Sequence, residues 1–278
     1  MKANSPTDPL TPLARLPGVG AAVDSMRTAV DRVYGHRVMR RRSSEITAEA
    51  ALRGARASAA LSGADWALEE VRRRSDFGTD QQARTVGAAL RVTAEAGQLL
   101  DIWRTSPMRV LARLHLVAAG GIAPEETVGR PRLAGEPVTE PGLESFGRPA
   151  PPADEAAARL DALSRLVIDG SQAPALVTAA VVHGELLTLR PFGTHNGLVA
   201  RAAQRIVLIA GGLDPKSVAP VEVGHAEQGL DTYVQALDGY ASGRPGGMAA
   251  WIAHCGRSVE LGARESVAVC EALQRGAA

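Results

Sequence analysis

The sequence predicts a mainly α-helical protein built around two central apolar helices, with a helical N-terminal extension and one short irregular β-hairpin. Three observations carry that expectation. Apolar residues recur at helical spacing along most of the chain. Hydrophobic residues make up 45% of the 278 while aromatics reach only 3%, which leaves Ala, Val and Leu to line the core. The two most apolar segments, 173–189 and 197–213, are joined by a short glycine-containing loop, the layout of a buried helical hairpin.

The elements follow in order. Met1 to Gly20 is rich in Pro and Gly and reads as a lead-in, and a helix is expected from Val23 to about Tyr34. A stronger helix begins near Ser44, a good cap, with Ile46, Ala50, Ala57 and Leu61 on one face, and Gly63 breaks it. Asp65 is placed to cap the next helix, beside Trp66, and 80–100 reads as an amphipathic helix with Val86, Leu90, Ala94 and Leu99 inward. Ser106, Pro107 and Gly120 bracket another, in which His115 is expected to be a core residue. From Gly121 to Pro152, Gly and Pro recur every few residues; the run TVGRPRLAGEPV suits an irregular hairpin, although Pro131 prevents a regular central strand. Helices resume with Asp154 and Glu155 in a first turn, pass through the two apolar segments, the second stopped at Gly211-Gly212, and end with two closing segments.

Net charge is +1 and the pI is near 7.9, so no overall field draws the molecule to nucleic acid or to an anionic membrane. Lysine occurs only at Lys2 and Lys216, so the arginine runs at 37–44 and 72–74 reflect a general preference for arginine and read as solvated helix faces. Cys255 and Cys270 lack metal-binding spacing and are expected to be buried and reduced, so no metal is assigned. The N-terminus lacks the apolar core of a secretory signal and no stretch of about 18 apolar residues spans a bilayer, so a cytoplasmic location is expected.

The loop RPFGTHNG, Arg190 to Gly197, places Pro191 and Phe192 before small residues and then Asn196-Gly197 at a helix start. Free backbone N–H groups there make an anion site, and Arg201 lies one turn in. This layout resembles the Fic family motif H-P-F-x-x-G-N-G-R-x-x-R between two buried helices. Pro191, Phe192, Asn196, Gly197 and Arg201 match, while Arg190, His195 and Leu198 stand where the family has its histidine, first glycine and first arginine. The segment 173–189, including His183, resembles the helix before the motif, and 121–152 falls where the family has its flap hairpin. Ser58 to Gly63, SAALSG, resembles the family's S/T-x-x-x-E-G/N inhibitory motif with Ser62 in place of the glutamate. The resemblance implies a Fic-like core over 106–278, a helical extension with the degenerate inhibitory motif over 43–105, and a lead-in with one helix over 1–42.

In the family the histidine takes a proton from a target hydroxyl, which attacks the α-phosphate of ATP held with magnesium. The resemblance therefore implies ATP with magnesium as ligand, a protein target, and self-association into homo-oligomers. It places Asn196, Gly197, Arg201 and Arg190 around the phosphates. Arginine cannot act as a general base at neutral pH, so standard adenylyl transfer is not expected. Three readings remain: a binding protein for a nucleotide, phosphorylated ligand or protein partner; an altered nucleotidyl- or phosphoryl-group transferase with His195 as base, favoured over His183; and a purely structural or regulatory protein in which Arg190 caps carbonyls of the preceding helix.

Overall fold

The computed structural model describes residues 8–78 and 80–276. Within them the chain forms thirteen α-helices and two short 3-10 turns. The short α1 (Thr11–Ala14) leads into α2 (Val19–Gly35), which buries Val19, Val23, Met26, Val30 and Val33 on one face. This helix starts four residues before the expected Val23. The first seven residues of the predicted lead-in lie outside the described residues.

Next comes α3 (Met39–Ala60), in which Arg42 departs from helical geometry (φ −126°, ψ 29°). The kink makes the regular helix begin close to the predicted Ser44, but no side chain caps it. Asp65 does not cap α4 (Leu68–Arg73) either; it pairs with Arg56 instead, and Ala67 takes the cap position. An exposed acid beside a long cation finds that partner before it finds backbone N–H groups. By contrast α5 (Gln81–Gln98) has a built cap, with Asp80 Oδ1 accepting from Ala83 N at 2.8 Å. The single-turn α6 (Leu100–Trp103) joins it to α7 (Pro107–Ala119), which has Pro107 in its first turn and stops at Gly120 as expected.

Residues 120–152 correct the sequence reading. Among the described residues no strand forms, and the expected β-hairpin is absent; the segment holds 3-10 turns at Glu125–Thr127 and Glu144–Phe146 and further turns at 128–129, 134–135 and 141–142. Its bonds within the segment are local turn contacts such as Glu136 N to Leu133 O, and its long-range backbone bonds go to the loop after α9: Arg132 N donates to Pro191 O and Thr139 N to Gly193 O, each at 2.8 Å. Prolines at 131, 137 and 141 carry no N–H, which thins out the ladder a hairpin needs.

The segment then enters α8 (Ala153–Asp169), α9 (Ala175–Leu189) and α10 (Asn196–Ala210). The last two are buried along nearly their whole length and pack against each other at the centre, as their composition predicts. Around them close α11 (Val221–Glu227), α12 (Leu230–Ala241) and the 30-residue α13 (Pro245–Gln274). Helix α13 lies along α2 and against α9, α11 and α12, while α3 packs on α5, α10 and α11. No helix among the described residues is long and apolar enough to cross a membrane.

Candidate anion site at the start of α10

Helix α9 ends because Arg190 takes the left-handed conformation (φ 43°, ψ 64°) and Pro191 follows. The carbonyls this end exposes are answered by Arg132, whose Nε donates to Arg190 O at 2.9 Å and whose Nη2 reaches Leu189 O at 3.4 Å and also Pro151 O. The capping arginine is thus Arg132, from the extended segment, and the Arg190 side chain goes elsewhere. Its Nη2 donates to Arg148 O at 2.6 Å and the guanidinium lies over the Phe146 ring, 5.5 Å from its centroid. Burial lowers the Arg190 pKa, with Glu140 opposing and Arg132 adding to the effect.

The loop is closed on itself by Asn196. Its Oδ1 accepts from Phe192 N and its Nδ2 donates to Phe192 O, both at 2.9 Å. Phe192, 1% exposed, wedges beneath the loop and stacks on His115 with centroids 4.1 Å apart and planes 9° from parallel. The backbone N–H groups of Asn196 and Gly197 stand at the helix start, as an anion site requires.

An anion from the chain itself is already there. Glu140 Oε2 accepts from Asn196 N at 2.7 Å and from Asn196 Nδ2 at 2.9 Å, and Oε1 accepts from Gly197 N at 2.8 Å. Burial pushes the Glu140 carboxyl above the usual carboxylate range, while the Gly197 and Asn196 donors and the Arg201 charge pull it back. A Cβ at Gly197 would stand 3.0 Å from both Glu140 Oε1 and Arg201 Nη1, so only glycine lets carboxylate and guanidinium approach the helix start together.

Arg201 is 1% exposed and turned toward α3. Its Nε donates to Ser58 Oγ at 2.8 Å, and its Nη2 donates to Ser58 O at 2.9 Å and to Ser62 Oγ at 2.7 Å. The helix end carrying the SAALSG run therefore holds the arginine through hydroxyls and a carbonyl. Leu198 is 1% exposed and belongs to the hydrophobic core.

Of the residues singled out from sequence, Asn196 and Gly197 bond Glu140 and Arg201 lies near it, while the Arg190 guanidinium bonds Arg148 O and His195 supplies none of the Glu140 hydrogen bonds. His195 occupies the cap position of α10 in the left-handed region (φ 59°) without a capping hydrogen bond, and its buried Nδ1 has no partner. Burial, with Arg91 nearby, lowers its pKa to about 4. His115 is also lowered to about 4, chiefly by burial and then by His195, with the Thr194 backbone opposing. Glu140 and Arg132 were not legible as site residues: they sit in a Gly/Pro-rich stretch, and their partners are backbone groups that any sequence supplies.

These two imidazoles contribute to a pH dependence in the same direction as buried His183, His225 and His254, which burial also holds below the ordinary value. Between about 4 and the ordinary value near 6.5, the unfolded chain takes up protons that the folded chain refuses, so this contribution to stability is complete above that window and is lost as pH falls through it. The expected loss is on the order of 3 kcal/mol for each imidazole, at 1.36 kcal/mol per unit of pKa difference. Guanidinium melts at pH 7 and pH 4.5 should differ accordingly, and His115→Gln should reduce the difference by that imidazole's share; an equal stability at both pH values would contradict the assignment.

No family model matches the chain, and neither does any curated protein. Solved structures do match. A Fic family protein from Desulfovibrio desulfuricans superposes with a TM-score of 0.72 at 21% identity, over 91% of this chain and 75% of that one. A variant of Fic-1 from C. elegans gives 0.63 at 16% identity, over 90% and 72%. A Fic domain containing signaling protein from Bacteroides thetaiotaomicron gives 0.61 at 12% identity, over 90% and 97%. With the helix, loop and helix of α9 and α10 at its centre, the chain has the fold of Fic family proteins.

Proposed function

We propose that this protein is a Fic-fold binding protein that does not perform standard adenylyl transfer and whose anion site is closed at rest by its own Glu140. The observation that carries this reading is the Glu140 carboxylate held by three donors at the start of α10. An incoming anionic group, whether a nucleotide phosphate, a phosphorylated ligand or an acidic side chain of a partner, binds there only by displacing Glu140. Its apparent affinity is then reduced by the fraction of molecules in which Glu140 is in place. In this conformation the residues do not fit a magnesium-bound triphosphate, since Glu140 fills the donors, Leu198 offers no charge and Arg201 is engaged by Ser58 and Ser62.

The same geometry weighs against a transferase that uses His195 as base. A group whose pKa lies near 4 is a weak acceptor at neutral pH, and the Glu140 cradle takes no hydrogen bond from the imidazole. Arg190 stays cationic and is committed to Arg148 O.

Calorimetric titration with inorganic phosphate, pyrophosphate and Mg-ATP tests the proposal, comparing the wild type with Glu140→Ala. The wild type is expected to bind weakly, and the variant at least about tenfold more tightly, or ~1.4 kcal/mol. Circular dichroism of both proteins controls for folding. A folded Glu140→Ala that gains no affinity for any of these anions would sink the idea of a self-closed site.

A further inference from the structure

A second polar cluster is buried between α9, α11 and α13. His183 from α9, His225 from α11 and Cys255 from α13 are each 0% exposed, and each offers one ligand atom, all lying within 4.8 Å of one another. We propose that these residues form a transition-metal site for a thiophilic d10 cation, with Cu(I) as the better fit.

His183 Nε2 faces Tyr233 Oη at 2.7 Å, while His183 Nδ1 is buried with no partner. His225 Nδ1 lies 2.9 Å from Ser258 Oγ and 3.1 Å from His254 Nε2, and His225 Nε2 lies 2.9 Å from Gln204 Oε1. A buried polar atom without a partner calls for a cause, and an ion is one such cause.

The donor set suits the cation. Gln204 touches both His225 Nε2 and the Cys255 thiol, which puts that nitrogen on the sulfur's side and an amide oxygen within reach as a fourth donor. Metal–nitrogen bonds of about 2.0 Å and metal–sulfur bonds of about 2.3 Å ask the three ligand atoms to draw in by roughly 1 Å. Tyr233 on His183 and Ser258 on His225 hold the opposite ring nitrogens, as outer partners of ligating histidines do. Binding displaces the thiol proton to solvent, and a monovalent cation with one thiolate adds no net charge beside Arg201, whereas Zn(II) would add one. Two imidazoles and a thiolate are soft enough for Cu(I).

The test uses the purified full chain, loaded anaerobically with Cu(I) and in parallel with Zn(II), desalted, and assayed for retained metal and for thiolate-to-metal charge transfer in the near ultraviolet. Stoichiometric Cu(I) is expected to be retained by the wild type and by Cys270→Ser, and lost in Cys255→Ser and His183→Gln, with circular dichroism unchanged in all. Failure of the wild type to retain either ion, or retention that Cys255→Ser leaves intact, would overturn the site. Should His183→Gln fail to fold, Cys255→Ser alone, which removes the sulfur and little volume, still decides the outcome.

Discussion

Replacing Arg201 with alanine is expected to lower the stability of the fold by about 3–5 kcal/mol, the range for removing one member of a buried charged network. The guanidinium is 1% exposed and is the one donor group that links α10 to the end of α3 through Ser58 Oγ, Ser58 O and Ser62 Oγ. Its removal leaves those oxygens without a donor, opens a cavity of side-chain size, and strips Glu140 of a nearby positive charge. Ser62→Ala deletes one hydrogen bond to a charged donor and should cost about 1.5–3 kcal/mol. Chemical denaturation of the two variants checks the order. If Arg201→Ala melts with the wild type, the guanidinium is not the bridge between these helices. The result also bears on binding: a loss of anion affinity in Arg201→Ala would reflect a disturbed α3–α10 contact as much as a lost ligand contact, so Glu140 is the cleaner position to vary.

The parts of this fold that were legible in sequence are those set by local rules. Segments α9 and α10 announce themselves because most of their residues are apolar and the interruption between them is short, and α5 and α7 because their apolar residues keep helical spacing. Local rules failed where a long-range partner competed. Asp65 matches the chemistry of a cap, yet Arg56, on the preceding helix, takes it. The hairpin expected in 121–152 is replaced by pairing between this segment and the loop at Pro191 and Gly193, contacts more than fifty residues apart in the chain. The site divides in the same way. Asn196, Gly197 and Arg201 could be read from spacing, because an anion loop needs them at fixed offsets. Glu140 could not, since its ligands are two backbone N–H groups and one amide, and the need for an anion at that point does not say which of 30 acidic residues supplies it.

The same long-range logic makes Glu222 the position of the second large effect. Arg205 lies one turn beyond Arg201 on α10, and its Nε and Nη2 donate to Glu222 Oε1 and Oε2 at 3.0 and 2.6 Å while Nη1 donates to Ser217 Oγ at 2.7 Å. The two side chains are 7% and 3% exposed, so water screens little of the interaction. Gly54 on α3 gives the pair room: a Cβ there would press on the Arg205 guanidinium and stand 3.0 Å from Glu222 Oε2. Glu222→Ala strands a guanidinium in a low-dielectric seat and is expected to cost about 3–5 kcal/mol. Glu222→Gln, which keeps one acceptor, should fall between that value and zero. Replacing both partners together, Arg205→Met with Glu222→Leu, should recover much of the loss, because two apolar side chains of similar volume need no charge compensation. Denaturant melts of the three proteins decide the matter. If the double replacement is as unstable as Glu222→Ala, the effect comes from packing around Gly54 and not from an uncompensated charge.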